Sequence, residues 1–413
     1  VRWIALAASI VCALPLLPWH STTIVLPATS PFVALGAWLS GGRISLWVVP
    51  AVLVAAACAA WRRLFCRYLC PMGLLLDCAG LVAFRKREMR HVPRVGSLIA
   101  LATWVGAVFG FPLFLWLDPL SLFSAFLGNR FQDGLWLIPA AVIGVSMIWP
   151  RLWCTRVCPL GATQDLLRLP ADGLRSLALR RKAGPEGERP ERLSTTGLHR
   201  RTVLAVAAAV VAGGMGAVLG RRLSAASGQT PAPLRPPGAA GEDRFAALCI
   251  RCGNCLQVCP AGILRPDLEP GRLASLATPL VVFQDDYCRE DCRACTQVCP
   301  SGAIRRLSLA DKLEHTIGVA VVEFDLCLLA YNRECDICKR VCPRDAVTID
   351  WSDKEYARIP QVDDRRCNGC GACLVACPGK NDWERETDPR IPVRKAIAIV
   401  GTWKAEAGEA KRT

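Results

Sequence analysis

The sequence predicts an α-helical membrane unit in roughly the first half of the chain and a small α+β domain in the second. Five apolar runs are long enough to cross a bilayer, and parts of the apolar half repeat one another at an offset of 88 residues. In the second half, 16 of the 23 cysteines fall in four short groups within the last 165 residues. The chain has 413 residues, enough for two or three domains.

The net charge of +15 is distributed unevenly between the two halves. Residues 1–240 carry 25 Lys and Arg against 9 Asp and Glu, whereas residues 241–413 carry 25 against 26. The excess positive charge therefore lies in the apolar half, where basic loops set the orientation of membrane helices. This distribution argues against binding of nucleic acid.

Four apolar runs in residues 1–168 predict membrane-spanning helices, because a span needs roughly 20 mostly apolar residues. A fifth run, Val203–Gly220, predicts one more span. By the positive-inside rule, the basic segments 62–94 and 151–201 are expected on the cytoplasmic side, which places the residues after the fifth run outside the cytoplasm. The first four runs are Trp3–Trp19, Ile44–Trp61, Val95–Leu117 and Leu135–Trp149.

The four predicted spans form an internally duplicated four-helix unit. The stretch SPFVALGAWLSGGRISLWVVP, from Ser30, resembles DPLSLFSAFLGNRFQDGLWLIP, from Asp118. Likewise RLFCRYLCPMGLLLD, from Arg63, resembles RLWCTRVCPLGATQD, from Arg151, and each carries a Cys-x3-Cys-Pro motif. A pseudo-twofold axis between parallel repeats would bring the four motif cysteines together. These cysteines are Cys66, Cys70, Cys154 and Cys158.

Four thiolates at such an axis suit a 4Fe–4S cluster, and another tetrahedral metal is a second interpretation. A third interpretation is two separate redox-active thiol pairs without a metal. Because residues four apart share one face of a helix, each Cys-x3-Cys pair can reach a common site.

The segment between the two halves predicts a linker and an anchor. Residues 169–201 are rich in charge, Gly and Pro, as expected for a cytoplasmic linker. Arg200-Arg201 before the apolar run is typical of a Tat-type signal, and basic flanking of an ordinary span is the alternative explanation. We expect residues 202–222 to be an uncleaved membrane anchor and residues 223–242 to be a flexible tether.

Residues 243–413 contain four cysteine motifs that each end in Cys-Pro. The first and fourth match the C-x2-C-x2-C-x3-C-P run that binds 4Fe–4S clusters, and the other two widen only the first gap. Zinc sites normally use two close pairs of ligands, and a disulfide framework needs no such grouping. The sequence therefore predicts four 4Fe–4S clusters. The candidate ligands are Cys249, Cys252, Cys255, Cys259, Cys288, Cys292, Cys295, Cys299, Cys327, Cys335, Cys338, Cys342, Cys367, Cys370, Cys373 and Cys377.

In two-cluster ferredoxins the fourth cysteine of each run binds the other cluster. We favour pairing of the first motif with the second and of the third with the fourth, because the closed loops are shorter. Nested pairing of the first motif with the fourth stays open. Short β-rich pieces at Ala303-Ile304, Val319–Phe324 and Ala346–Ile349 predict the small strands of an α+β tandem ferredoxin-like domain.

Both halves resemble known families. Residues 1–168 resemble NapH, a four-span quinol dehydrogenase component with two Cys-x3-Cys-Pro motifs, and residues 195–413 are similar to the NapG and MauM proteins, twin-arginine ferredoxins with four clusters. The chain departs from NapH because the linker replaces that family's own cytoplasmic ferredoxin segment.

The resemblance implies a protein of the bacterial inner membrane that takes electrons from quinol in the quinone pool. It implies a periplasmic acceptor, such as a cytochrome c or the reductase or oxidase subunits of a multi-subunit complex. His20, Asp118 and His91 are candidate proton-handling residues, and the catalytic residues are not identified. Two other functions stay open, an electron-supplying assembly factor for a periplasmic enzyme and a wiring subunit that oxidises no quinol itself.

Overall fold

A computed structural model gives the fold of most of the chain. Up to residue 226, every element in the described ranges is helical, and an α+β part begins at residue 233. The described residues are 2–13, 20–41, 48–61, 63–83, 93–128, 136–169, 195–226, 233–269, 272–353, 356–381 and 393–401.

The first part of the chain consists of mostly short helices. They are joined by 3-10 turns at His20–Ile24 and Leu115–Leu117 and by a π-helical turn at Trp153–Val157. The helices are α1 (Arg2–Ala13), α2 (Val25–Ala28), α3 (Pro31–Leu39), α4 (Val48–Ala60), α5 (Leu64–Tyr68), α6 (Pro71–Leu81), α7 (Val95–Val108), α8 (Pro119–Gly128), α9 (Leu137–Ile148), α10 (159–169) and α11 (Thr195–Ala226).

Four of these helices, α3, α6, α8 and α10, begin at a proline. Proline suits the first helical position because its missing N–H has no partner there and its φ angle is already helical. The residue before each proline caps the helix with its side chain. The caps are Ser30, Cys70, Asp118 and Cys158, which accept backbone N–H groups two or three residues further on.

The contacts between the two predicted repeats come in symmetric pairs, in which the equivalent residues of the first and second copies change places. The Arg63 guanidinium donates to the Asp165 carboxylate at 3.0 Å. Arg151 and Asp77, each 88 residues away from a member of that pair, form the reciprocal ion pair at 3.4 Å. Ser30 donates its hydroxyl to Asp118, its own counterpart in the second copy, at 2.6 Å. A pseudo-twofold axis produces this pattern.

The predicted unit of four membrane-spanning helices is wrong. Helices α1, α4, α7 and α9, which lie in the four apolar runs, have only 12 to 14 residues. At 1.5 Å per residue they reach about 18 to 21 Å, short of the ~30 Å hydrocarbon core of a bilayer. In the part of the chain that the structure describes, one helix is long and apolar enough to span, Val203–Arg222, or two if the bent pair Thr22–Ala28 and Pro31–Leu39 counts as one span.

The apolar runs misled the prediction because turns interrupt them and the pieces pack on one another. Helix α7 ends before Gly110, whose φ of +79° is left-handed, and the chain turns at Pro112 rather than continuing to Leu117. The apolar side chains then fill a shared core that includes the fully buried Phe32 and Leu120. Residues 14–19, 44–47 and 135 of the predicted spans lie outside the described residues.

Helix α11 differs from the others because it has 32 residues. One side packs along α7, where a Cβ atom at Gly213 would lie 2.6 Å from the Ala102 carbonyl oxygen, so only glycine allows this approach. The side chains of Val203–Arg222 are otherwise mostly exposed, including Met215 and Val211. The helix therefore presents a long apolar surface to its surroundings.

Within its described residues, the second part has three two-stranded antiparallel sheets surrounded by short helices. Strand β1 pairs with β2, β3 with β6 and β4 with β5. The strands predicted at Val319–Phe324 and Ala346–Ile349 correspond to β3 and β4, whereas Ile304 forms only an isolated bridge to Ala239. The elements are α12 (Glu242–Leu248), α13 (Asn254–Gln257), β1 (Leu264–Pro266), β2 (Pro279–Val281), α14 (Ala294–Gln297), α15 (Leu309–Glu314), β3 (Val319–Val322), α16 (Ile337–Arg340), β4 (Val347–Ser352), β5 (Ala357–Val362), α17 (Ala372–Ala376) and β6 (Ile397–Val400).

A buried arginine fixes residues that the sequence predicts as part of the tether. The Arg235 side chain is fully buried and donates to both carboxylate oxygens of Glu242. It also donates to Thr278 Oγ1 at 3.0 Å and to the Pro279 carbonyl oxygen at 2.9 Å. Residues 233–242 are therefore held against the α+β part, and residues 227–232 of the predicted tether lie outside the described residues.

Candidate iron–sulfur sites

The sixteen cysteines of the α+β part lie around four cavities. Each cavity is lined by the first three cysteines of one motif and the last cysteine of the neighbouring motif, as the pairing of first with second and third with fourth predicts. Site 1 has Cys249, Cys252, Cys255 and Cys299; site 2 has Cys288, Cys292, Cys295 and Cys259; site 3 has Cys327, Cys335, Cys338 and Cys377; and site 4 has Cys367, Cys370, Cys373 and Cys342.

The cavities are similar in size and chemistry. The empty space at sites 1 to 4 is about 410, 430, 360 and 320 Å³, part of it open to solvent, and the other lining residues are largely apolar. Burial, followed by the charge of neighbouring thiolates, raises the pKa of Cys373 to about 12. A thiol buried in this way becomes a thiolate only when a strongly positive group binds it, which is what an iron–sulfur cluster provides.

Glycine residues let the backbone pass close to the sites. Gly253 and Gly371 precede α13 and α17 with φ angles of +77° and +87°, which is left-handed backbone. A Cβ atom at Gly371 would collide with the Phe283 ring. The main chain can therefore run between ligands of one motif.

Backbone N–H groups point at the sulfur atoms of the exchanged cysteines. Ile304 donates to Cys299 Sγ at 3.3 Å, and Ala346 donates to Cys342 Sγ at the same distance. Hydrogen bonds to cluster sulfurs are one of the means by which proteins set reduction potentials. Cys299 is the last cysteine of the second motif and lies in site 1, and Cys342 is the last cysteine of the third motif and lies in site 4.

The four sites form a connected series. Sites 1 and 2 are close enough that the thiolate charge of Cys295 in site 2 helps to raise the pKa of Cys255 in site 1. Sites 2 and 4 are joined by a hydrogen bond of 2.9 Å from the Cys288 N–H to the Cys370 carbonyl oxygen. Cys338 of site 3 and Cys373 of site 4 share one apolar cluster. The order in space is therefore 1, 2, 4, 3, which differs from the order of the motifs along the chain.

The helical part brings its four motif cysteines together in an N-terminal site, defined as Cys66, Cys70, Cys154 and Cys158. Thiolate charges at Cys70, Cys158 and Cys154, after burial, raise the pKa of Cys66. The exchange symmetry of the two copies extends to the caps, because Gly73 N–H donates to Cys70 Sγ and Gly161 N–H to Cys158 Sγ, both at 3.4 Å.

Two polar side chains lie beside the N-terminal site. Gln164 Nε2 donates to Cys66 Sγ at 3.2 Å. Asp118 is fully buried and accepts hydrogen bonds from Ser30, Leu120 and Ser121, yet burial raises its pKa to about 6. Of the other candidate proton-handling residues, His91 lies outside the described residues.

None of these sites resembles a site for a single metal ion. Among the residues that the structure describes, no three His, Cys, Asp or Glu side chains converge closely enough to hold one ion. A tetrahedral zinc ion needs its sulfur ligands at about 2.3 Å from one point. A cubane cluster instead holds each thiolate at a separate iron, so wider groups of four cysteines suit it better.

Site 1 lies against the helical part. Asn254 Nδ2, between the ligands of site 1, donates to the Thr23 carbonyl oxygen at 3.0 Å. The Arg244 guanidinium donates to the Gly41 carbonyl oxygen at 2.7 Å. The Arg251 guanidinium lies over the Trp116 ring, 5.5 Å from its centroid. No sequence pattern indicates this interface, because neither Asn254 nor Arg244 lies in a motif that predicts a contact more than 200 residues away.

Comparisons with known proteins agree with this arrangement. The family model described as 4Fe-4S dicluster domain matches residues 248–303 and 333–381, and the model described as 4Fe-4S binding domain matches residues 41–90 and 134–184. The ferredoxin-type protein MauM of Methylobacillus flagellatus is 36% identical over 210 residues, which cover 48% of this chain and 84% of that protein. The chain belongs to the NapG/MauM family of ferredoxin-type proteins.

Other members of the NapG/MauM family are similarly close. NapG of Escherichia coli is 35% identical over 187 residues, which cover 43% of this chain and 78% of that protein. MauM of Methylorubrum extorquens is 39% identical over 157 residues, which cover 35% and 67%. No solved structure matches the chain.

Family membership establishes the chemistry of the chain at a coarse level. As a NapG/MauM protein it is a ferredoxin-type 4Fe–4S electron-transfer protein, so the sequence-based prediction of iron–sulfur chemistry is confirmed. The second family model covers both Cys-x3-Cys-Pro motifs and is also a 4Fe-4S binding domain. This match favours a cluster over isolated thiol pairs at the N-terminal site.

Proposed function

We propose that the chain conducts electrons between the quinone pool and a periplasmic redox partner through five 4Fe–4S clusters. Four are held at sites 1 to 4 and the fifth at the N-terminal site. The observation that carries the proposal is a shared core: Cys70 and Cys158 of the N-terminal site and Cys252 of site 1 belong to one apolar cluster. Electrons can therefore pass between the two parts without leaving the protein.

The interface between the two parts orients this route. Asn254 is buried between site 1 and Thr23, and helix α13 contacts α8, which Asp118 caps. Ile250, next to the ligand Cys249, is buried in the same core as Leu120 of α8. These contacts hold site 1 at the helical part and leave site 3 at the far end of the series.

The residues of the chain perform three tasks along the route. Each cluster supplies reversible one-electron transfer, and its cysteines hold it in place. Apolar side chains exclude water, and backbone N–H groups such as those of Ile304 and Ala346 donate to the ligand sulfurs. The chain thus supplies spacing and potential rather than acid–base chemistry in sites 1 to 4.

A single anchor at the bacterial inner membrane is part of the proposal. Val203–Arg222 is long and apolar enough to span, and most of its side chains face away from the protein. Arg200 and Arg201 precede it, so a Tat-type route that exports the folded, cluster-loaded part fits the sequence. The ferredoxin part is then periplasmic, and the helical part that contacts it through Asn254 and Arg244 lies at the same face of the membrane.

The test is reduction of the purified full-length chain by quinol under anaerobic conditions. Added menaquinol or ubiquinol should bleach the iron–sulfur absorbance, and the Cys66→Ala/Cys154→Ala variant should respond far more slowly with the clusters of sites 1 to 4 intact. Dithionite reduction of both proteins is the control for cluster content. Clusters that dithionite reduces but no quinol reduces would overturn quinol oxidation by this chain.

A further inference from the structure

The N-terminal site is nearly symmetric, so a difference between the two copies at a cysteine sulfur is informative. The caps at Cys70 and Cys158 accept equivalent backbone bonds of equal length, 3.4 Å. The reciprocal ion pairs of Arg63 and Arg151 with the carboxylates of the other copy repeat the pattern. The ion pairs are equivalent in position but not in detail, because Arg63 binds both oxygens of Asp165, whereas Asp77 is shared between Arg151 and Arg2.

Gln164 breaks the symmetry. Its side chain is fully buried, and Nε2 donates to Cys66 Sγ at 3.2 Å. The residue 88 positions earlier is Leu76, which is buried to a similar degree and has no group that can donate. Only one of the two copies therefore offers a side-chain donor to a sulfur of the site.

The amide is an unfavourable choice for stability alone. Gln164 Oε1 is buried and has no hydrogen-bond partner in the described part of the protein, which is a cost that leucine would avoid. The orientation of the amide follows from chemistry, because a thiolate sulfur only accepts and must face the NH2 group. The duplicated scaffold accommodates leucine at the equivalent position, so a role at the sulfur explains glutamine better than packing does.

An N–H donor to a ligand sulfur favours the more negative, reduced form of a cluster. Arg63 also lies near Cys66, but its charge is balanced by Asp165 at 2.5 Å. Gln164 is neutral, so its N–H reaches Cys66 Sγ without a paired counter-charge such as the one that Asp165 supplies to Arg63.

We propose that Gln164 raises the reduction potential of the cluster at the N-terminal site above the value that the symmetric scaffold alone would give. It does so as a positioning and tuning residue, through the bond from its amide to the Cys66 thiolate. The inference rests on the fifth cluster of the proposed function. It adds the residue that makes this cluster an acceptor for electrons.

The test is a redox titration of the full-length chain, followed by electron paramagnetic resonance of the N-terminal cluster. Gln164→Leu copies the residue of the other repeat, and Gln164→Met keeps a longer side chain without a donor. Each should lower the reduction equilibrium constant of this cluster about tenfold, which is 59 mV for one electron. The iron content and the potentials of sites 1 to 4 should not change.

A residue swap provides the matched control. Leu76→Gln/Gln164→Leu moves the amide to the other copy, so the potential should return towards that of the wild type. An unchanged potential in Gln164→Leu and Gln164→Met, with the cluster present, would overturn the inference and leave the proposed function standing. Loss of this cluster's iron in both variants would also overturn it, because the amide would then be a structural requirement. A wild-type chain without a fifth cluster would instead refute the N-terminal site itself.

Discussion

The exchange of the last cysteine between neighbouring motifs makes a numerical prediction about iron. Cys249 and Cys299 lie in different motifs but line the same cavity, whereas Cys249 and Cys259 lie in one motif but line different cavities. If the loss of a ligand removes a cluster, each of Cys249→Ala, Cys299→Ala and Cys259→Ala should lose about four irons per chain. The two double variants then differ.

Cys249→Ala/Cys299→Ala should lose no more iron than either single variant, about four, because both cysteines serve site 1. Cys249→Ala/Cys259→Ala should lose about eight, because sites 1 and 2 are both incomplete. The assay is iron and acid-labile sulfide determination on protein purified without oxygen, with spin quantification of the reduced clusters. The reverse result, about eight for the first double variant and about four for the second, would refute the exchange.

Three further predictions concern stability and electron flow. Arg235→Met should lower the free energy of unfolding by about 3–5 kcal/mol because it leaves Glu242 without its buried partner. The control Arg340→Met breaks an exposed ion pair and should cost less than about 1 kcal/mol. Denaturant titration measures both variants, and equal effects would contradict a stabilising role for the buried pair. Since burial raises the pKa of Asp118 from 3.8 to about 6, its contribution to stability is present below about pH 4 and is lost as the pH rises through 6, about 3 kcal/mol in all. Asp118→Asn should therefore gain thermal stability relative to the wild type as the pH rises from about 4 to about 6, with little further change above about pH 7, and a difference that is constant from about pH 4 to about pH 7 would contradict this account. Asn254→Leu should slow electron transfer from the N-terminal site to site 1 in stopped-flow reduction by quinol with no loss of iron, and an unchanged rate would argue against this interface as the route.

Local sequence patterns predicted the cysteine groups well because short spacings determine them. Three closely spaced cysteines followed by Cys-Pro can wrap only one site, and the shorter loops favoured the pairing that brings Cys299 to Cys249. The strands at Val319 and Val347 follow from β-branched runs. The partner of β3 is β6, almost 80 residues away, and no local pattern indicates this pairing.

The apolar half shows the limit of such patterns. Hydropathy measures how much apolar surface a segment has but not whether lipid or other helices cover it, so the runs beginning at Trp3 and Val95 suggested spans where the structure has short helices around a core. The repeat of 88 residues correctly brought Cys66 near Cys154, because duplicated segments commonly pack about an axis. No sequence pattern indicated Gln164, because its contact with Cys66, and the lack of such a donor at the equivalent Leu76, are seen only in the three-dimensional structure.

Total iron and sulfide in the anaerobically purified full-length chain test the central claim most directly. Five clusters correspond to about 20 irons and 20 sulfides per chain, and the Cys66→Ala/Cys154→Ala variant should contain about 16 of each. A wild-type value of about 16 that this variant does not lower would exclude a cluster at the N-terminal site. Colourless protein with far less iron than that would contradict the account as a whole.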